Sequence, residues 1–392
     1  MQIHVIPHVG GNFGDMLNGW LWQDLLPGVF DDDPDVRFIG IGTILDRHLP
    51  VAPLNVVFGS GTGYAPPPVS VRGPSWRIYG VRGPLTARVL GLGPEAVLTD
   101  PAILLARHPA FTQPEPADVL FVPHWKSVRY GQWREACTLA GVEFVDPCAD
   151  AHEVVRRIAG ARKVIAESMH AAIVADAFRV PWVPVVLSRE LAPFKWSDWA
   201  ASIGLHYEPR RLGPSSPLEC WRDLVLRHSA FGHPAAAATR GRLHWSDDEL
   251  MRDHATVVAR LSSPARWRAS VLAEALLKRA TRVGGALHAR AAPAPYERLR
   301  EEAARQLEAC SRDPGWLSAD TAHQHALARC EYALRRLAQD NRHGLLRPQG
   351  SARAAQPLPA EATHRPATPH PQRPGLGARL ASTTTNDTRS SP

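Results

Sequence analysis

The sequence predicts an α/β fold of two Rossmann-like units facing a cleft, followed by a helical appendage and a disordered tail. Three observations predict it. Short apolar runs alternate with Gly-rich turns and helix-periodic stretches over the first 110 residues. The alternation stops at a polar, Pro-containing stretch, HPAFTQPEPAD at 108–118, and then resumes. From about 236 the composition shifts to Ala, Arg, Glu and Leu at helical spacing. Strands alternating with helices imply parallel sheets, because a parallel pair needs a crossover long enough to hold a helix. Two such units take a ligand between them, at the carboxyl ends of strands. The expected segments are residues 1–110, 111–235, 236–346 and 347–392.

In the first unit the strands are expected at Gln2–Pro7, Arg37–Ile41, Leu54–Phe58, Arg77–Tyr79 and Ala96–Leu98. Met16–Leu26 carries the periodicity of a helix. The second unit is expected to place strands at Val119–Val122, Glu143–Val145, Lys163–Ala166 and Pro181–Leu187. Helices fall near Gln132–Ala140, His152–Ile158 and His170–Phe178. Tyr296–Cys310 and Ala322–Gln339 are the clearest helices of the appendage. Residues 347–392 hold eight Pro with Ser, Thr and Arg and almost no large apolar residue. Such a segment cannot bury enough surface to offset its ordering entropy.

Composition narrows the function classes. A chain of 392 residues, 44% hydrophobic and with 12 Trp, builds real cores, which excludes global disorder. No stretch approaches the length of a transmembrane helix, and the MQIHVIPHVGG start does not read as a secretory signal. Five Cys, widely spaced and without a CxxC, fit a reduced cytoplasmic protein better than a disulfide or zinc scaffold. No ligand spacing for a metal is evident, so none is expected. The formal charge is +7, but residues 1–235 hold 21 basic and 23 acidic residues, a net of −2. Residues 236–346 carry +5 and 347–392 carry +4. The excess therefore lies outside the motif-rich part, which argues against a nucleic-acid partner. It leaves weak attraction of the appendage and tail to an anionic membrane surface, with simple solubility as the alternative.

Three segments carry candidate chemistry. Gly10-Gly11-Asn12-Phe13-Gly14-Asp15 joins the first strand to the first helix. Glycines there let backbone approach a ligand, and the N–H groups of a helix start favour anions. It is not a GxGxxG, and Asp15 as a simple N-cap of Met16–Leu26 is the competing reading. Val81-Arg82-Gly83-Pro84-Leu85-Thr86 again leads a strand into a helix, with Pro in its first turn. An Arg before a helix N-terminus directs its guanidinium and the helix dipole at one point, which suits a phosphate or carboxylate. Asp100, after the last strand of the unit, reads as either a cap or a cleft residue. Glu167-Ser168-Met169-His170 follows strand Lys163–Ala166, where His170 can exchange a proton near neutrality. His124 occupies a similar strand end. Phe194-Lys195-Trp196-Ser197-Asp198-Trp199 supplies a cation and two indoles, which either stack on sugar faces or pack in the core.

Taken together, GNFGD, GSGTG at 59–63, VRGPLT at 81–86, TDPAILL at 99–105 and the segment SMHAAIVADAFRVPWVPV at 168–185 resemble the polysaccharide pyruvyl transferase family. NFGDMLNGWLWQDLLP, ESMH and FKWSDW look most like its succinoglycan-type exopolysaccharide pyruvyl (ketal) transferase branch. The resemblance covers about residues 3–200. It implies a fold similar to two-domain GT-B-like glycosyltransferases, and transfer of the enolpyruvyl unit of phosphoenolpyruvate onto two sugar hydroxyls with release of phosphate. It further implies no cofactor beyond that donor and a saccharide acceptor, in some members lipid-linked at the cytoplasmic face.

The resemblance places Arg82 at the departing phosphate and His170 at the reacting centre; Asp15 is the candidate to orient or deprotonate an acceptor hydroxyl. Asn12, Gly14, Gly61, Asp100, His124, Ser168, Lys195 and Trp196 complete the expected substrate site. In one respect the chain departs from much of the wider family, which carries Arg two residues before the His where Ser168 stands here. Lys195, one of four lysines, is the expected replacement cation. The competing readings are a nucleotide-sugar glycosyltransferase of the same fold and an inactive scaffold of a polysaccharide assembly complex.

Overall fold

A computed structural model describes residues 1–5, 11–50, 52–68, 70–111, 118–237, 241–291 and 293–348, with the side chains of 280–291 left out. The turn residue Gly10, most of the 108–118 linker and nearly all of the expected disordered tail lie outside the described residues. The two sheets and the helices around them belong to one compact unit, Met1–Ser351.

The first sheet contains β1 (Gln2–Ile3), β2 (Val36–Ile39), β3 (Leu54–Phe58) and β4 (Trp76–Gly80), parallel and in that order. β2 and β3 are buried along their whole length, as continuous apolar runs in a parallel sheet should be. Between β1 and β2, the expected single helix is instead α1 (Phe13–Met16), a 3₁₀ turn (Leu17–Gly19) and α2 (Leu21–Leu25). The backbone leaves helical geometry at Trp20, with φ −139°. The Asn18 side chain holds the break in place: it accepts from Ile41 N at 3.0 Å and Trp22 Nε1 at 2.8 Å, and donates to Ile41 O at 2.8 Å. Phe13, Leu17, Leu21 and Trp22 still reach the core. After β4, α3 (Pro84–Val89) starts on Pro84. Ala96–Leu98, expected as a strand, makes only a single bridge, between Val97 and Val81. A 3₁₀ segment, Pro101–Arg107, follows.

The second sheet has the strand order β10-β9-β8-β7-β5-β6. Its strands are β5 (Val119–Val122), β6 (Glu143–Phe144), β7 (Lys163–Ala166), β8 (Trp182–Val186), β9 (Arg210–Arg211) and β10 (Gly241–Arg242). They are parallel except for β10 against β9. α4 (Ser127–Tyr130), α5 (Trp133–Ala140), α6 (Ala151–Ala159) and the fully buried α7 (Met169–Ala177) form the connections. α8 (Pro193–Ser202) and α9 (Pro217–His228) follow β8 and β9.

The appendage consists of α10 (Asp247–Leu261), α11 (Pro264–Ala291), α12 (Pro293–Arg312) and α13 (Asp320–Arg342). It packs back on both sheets. Ala303, Leu307 and Cys310 of α12 share an apolar cluster with Phe121, Ile165 and Val185, while Cys330 and Leu337 of α13 join the main core. Buried Asp176 of α7 accepts from Ser318 N at 2.9 Å and Ser318 Oγ at 2.6 Å, tying the α12–α13 connection to the second sheet.

Candidate functional site

The second sheet has a topological switch between β5 and β7: the chain leaves β5 for β6 on one side, whereas β7 lies on the other. Connections that part in opposite directions leave a crevice beyond the carboxyl ends of those strands. The residues there are His124, Trp125 and Lys126 after β5, and Glu167, Ser168 and His170 after β7. Glu167 ties the two connections together, accepting from His124 N at 2.7 Å and Ser127 Oγ at 3.0 Å. Burial pushes its carboxyl up to about 7.

The crevice opens into a cavity of about 560 Å³. The first sheet contributes Asn12 and Asp15 after β1, Thr43, Arg47 and His48 after β2, and Tyr64 after β3. The second contributes His124, Lys126, Ser168, His170, Glu190 and Lys195. An apolar outer wall of Phe231, Val257, Leu261, Pro264 and Trp267 comes largely from α10 and α11. The appendage thus forms part of the site.

His170, in the first turn of α7, lies directly against Gly14: a Cβ built on Gly14 would stand 1.9 Å from His170 Nδ1. That contact, rather than a ligand, requires the glycine. His170 Nε2 has no hydrogen-bond partner among the described residues. Burial lowers the imidazole pKa, the Asp100 and Asp15 carboxylates pull it back up, and the charges of Lys195 and Arg82 oppose them. The net lowering favours the neutral imidazole at neutral pH. Asp15 is held by Asn12 Nδ2, which donates to its Oδ2 at 2.7 Å. The Asn12 backbone is the N-cap of α1, so Asp15 is not the expected cap but sits inside the first turn.

Lys195, in the first turn of α8, shares the cavity wall with Ser168 and His170. Its ammonium bonds the Tyr64 hydroxyl and lies 4.7 Å from the centre of that ring. Burial first, then the Arg82 charge, lowers its pKa to about 7. Lys126 is lowered by burial to about 8 and pairs with Glu190, which also pairs with Arg222. Ser168 N-caps α7 with its backbone, and its hydroxyl makes no capping bond.

The remaining expected residues lie away from the cavity wall. Arg82 is fully buried, its Nε 3.1 Å from Asp198 Oδ2, its Nη1 2.6 Å from Thr43 Oγ1 and its Nη2 3.1 Å from Thr62 O. Asp198 also accepts from Thr86 N at 2.8 Å and Thr86 Oγ1 at 2.6 Å. The anion at the start of α3 is therefore the carboxylate of α8, one residue behind the cavity wall. Gly61 packs on the Arg82 guanidinium, where a Cβ would come 2.3 Å from Cζ. Trp196 is core, stacked on Tyr207 with ring centres 4.8 Å apart. Asp100 is buried, its Oδ1 capping Ala102 N at 3.1 Å and its Oδ2 without a partner among the described residues.

Arg47, His48, Tyr64 and Glu190 line the cavity without having been expected there. Arg47 and His48 lie in an irregular loop, five residues and more beyond its opening Gly40-Ile41-Gly42, and Glu190 lies in the turn after β8. Tyr64 directly follows GSGTG, so its neighbourhood was the only available signal. Among the described residues no three His, Cys, Asp or Glu side chains converge as metal ligands.

Residues 74–189, which include Arg82, Asp100, His124, Ser168 and His170, match the family model described as polysaccharide pyruvyl transferase. The chain is also 44% identical over 211 residues to Succinoglycan biosynthesis protein ExoV of Rhizobium meliloti (strain 1021), a match covering 53% of this chain and 67% of that protein. No solved structure matches the chain.

Proposed function

Because the chain belongs to the polysaccharide pyruvyl transferase family, we propose that it moves the pyruvyl unit of phosphoenolpyruvate onto a sugar of an exopolysaccharide precursor, forming a ketal and releasing phosphate. The observation that carries the reading is one cavity wall that combines Lys195, Lys126 and Arg47 with the neutral imidazole of His170. A donor bearing both a phosphate and a carboxylate needs several cations, and two of these are partly desolvated ammonium groups that gain most from an anion. The two sheets are read as GT-B-like units meeting at this cavity.

In the reaction, His170 protonates the methylene carbon of the donor. The donor's negative charge favours the imidazolium, so the acid form arises as the donor binds. Positive charge develops at C2, where one acceptor hydroxyl attacks, oriented by Asp15. The C2–O bond to phosphate breaks, Lys195 and Lys126 stabilise the departing phosphate, and the second hydroxyl closes the ketal. Of the two hydroxyl protons released, one balances the proton placed on the methyl group and the other leaves with phosphate. Arg82 is a structural brace, tying α3 to α8 by way of Asp198.

Proton NMR of a candidate oligosaccharide incubated with the protein and phosphoenolpyruvate tests this. A new ketal methyl resonance with stoichiometric phosphate is expected, and is lost in His170→Ala. Release of UDP from UDP-sugars, with no phosphate from phosphoenolpyruvate, would instead identify a glycosyltransferase.

A further inference from the structure

In the first half of α11 the outward side is largely apolar where a surface helix should be polar. Leu272 and Leu276 are 60% and 59% exposed, and Trp267 and Val271 of the same helix are exposed as well. Neighbouring α9, which packs against α11, adds Trp221 at 65% and Leu224 at 54% exposed. Between residues 264 and 279 the exposed charged residues are Arg266, Arg268 and Arg279, with no exposed carboxylate. Glu274 is half-buried and faces Lys278 at 3.6 Å.

We propose that this face of α9 and α11 docks on an anionic lipid bilayer. Exposed indole and leucine side chains enter the boundary between headgroups and acyl chains, while arginines of the same face meet lipid phosphates. Charge selects this occupant over a second copy of the chain, because two such faces bring arginines against arginines with no carboxylate between them. No helix among the described residues is long and apolar enough to cross a membrane, so the contact is peripheral. Trp267, on the same helix but half a turn round from Leu276, is exposed and also lines the cavity, so α11 joins the lipid-facing side to the cavity wall. If the proposed function holds, the docked protein meets a sugar carried on lipid. The docking itself does not depend on that reading and is measured without substrate.

The experiment is cosedimentation of the full chain with vesicles of phosphatidylglycerol and phosphatidylcholine, or of phosphatidylcholine alone. Binding is expected to the anionic vesicles and to fall at least about tenfold in Leu272→Ser/Leu276→Ser. That substitution removes apolar surface without changing charge. Both positions are exposed, so an unchanged melting temperature and unchanged turnover of a soluble acceptor show that the variant is folded. Failure to bind anionic vesicles would overturn the proposal. So would undiminished binding by the double variant, which would assign the attraction to basic charge alone. A dimer that the variant converts to monomer, without vesicle binding, would identify a second copy as the occupant.

Discussion

Arg82→Ala separates a brace from a donor-binding residue. Both members of the Arg82–Asp198 pair are fully buried, and the guanidinium makes three hydrogen bonds. Removing it leaves Asp198 with only the two donors of Thr86 and an uncompensated buried charge. Breaking such a pair costs about 3–5 kcal/mol, a large share of the roughly 5–15 kcal/mol that holds a protein folded. Urea unfolding followed by tryptophan fluorescence should show a clear fall in midpoint. Asp198→Asn keeps an acceptor for Thr86 without the charge. The double variant Arg82→Ala/Asp198→Asn should therefore be more stable than Arg82→Ala, with a coupling of about 1–3 kcal/mol. The folded fraction of Arg82→Ala should keep its KM for phosphoenolpyruvate to within about twofold, since no donor contact is lost. A wild-type midpoint together with a sharply raised donor KM would refute the brace and return Arg82 to the phosphate.

Lys195→Met should raise the donor KM at least about tenfold, because a charge-assisted bond to the donor is lost. With its pKa near 7, Lys195 is charged below that value. Wild-type kcat/KM for the donor should therefore fall as pH rises through about 7, a limb that Lys195→Met lacks. The same depression, from 10.5 to about 7, means that the unfolded chain binds more protons in that window. Stability should thus rise with pH between those values, and Lys195→Met should flatten the slope in urea titrations at several pH values. Trp267→Ala should raise KM for the acceptor several-fold and leave that for the donor unchanged, since Trp267 lines the cavity with an apolar ring and carries no charge for the donor.

Much of the fold was legible because parallel strands are buried apolar runs. β3, β5 and β7 occupy the expected residues, and α5, α6 and α7 begin and end within a residue or so of expectation. α8 was missed because it is buried on nearly every side, Pro193, Phe194, Trp196, Trp199 and Ala200 included, so no apolar stripe repeats at helical period. α11 was not singled out within the helical appendage, because some of its described apolar residues, Leu272 and Leu276 among them, face outward. Of the expected site, Asn12, Asp15, His124, Ser168, His170 and Lys195 meet on the cavity wall, with His124, Ser168 and His170 close to the ends of β5 and β7 that topology brings together. The apolar wall left no signal, because it depends on how the appendage folds back. The anion-binding reading of VRGPLT identified a site of the right chemistry, but the anion comes from a segment more than a hundred residues away, and spacing carries no record of that.

The glycines of these motifs record contacts with distant motifs, and two of them separate stability from catalysis. At Gly83 a Cβ would stand 1.9 Å from Asp198 O and 2.5 Å from Asp198 C, and backbone cannot rotate aside. Gly83→Ala must therefore push α3 and α8 apart and loosen the buried pair behind the cavity. At Gly14 the obstacle is the His170 side chain, with Nδ1 at 1.9 Å, Cγ at 2.2 Å and Cβ at 2.7 Å; the ring can swing away, which leaves only the Cβ contact to be relieved by a small shift. Overpacking of a core typically costs about 1–3 kcal/mol. Gly83→Ala should lie at or above the top of that range, with transfer per folded molecule largely retained. Gly14→Ala should lie near the bottom, yet lose at least about tenfold in kcat, because the relaxation that relieves the clash moves the proton donor off its line. Measuring the urea midpoint and kcat of both variants decides the matter. Equal losses of both quantities in the two variants would show that His170 and Asp198 belong to one rigid body, and that the division between brace and site is wrong.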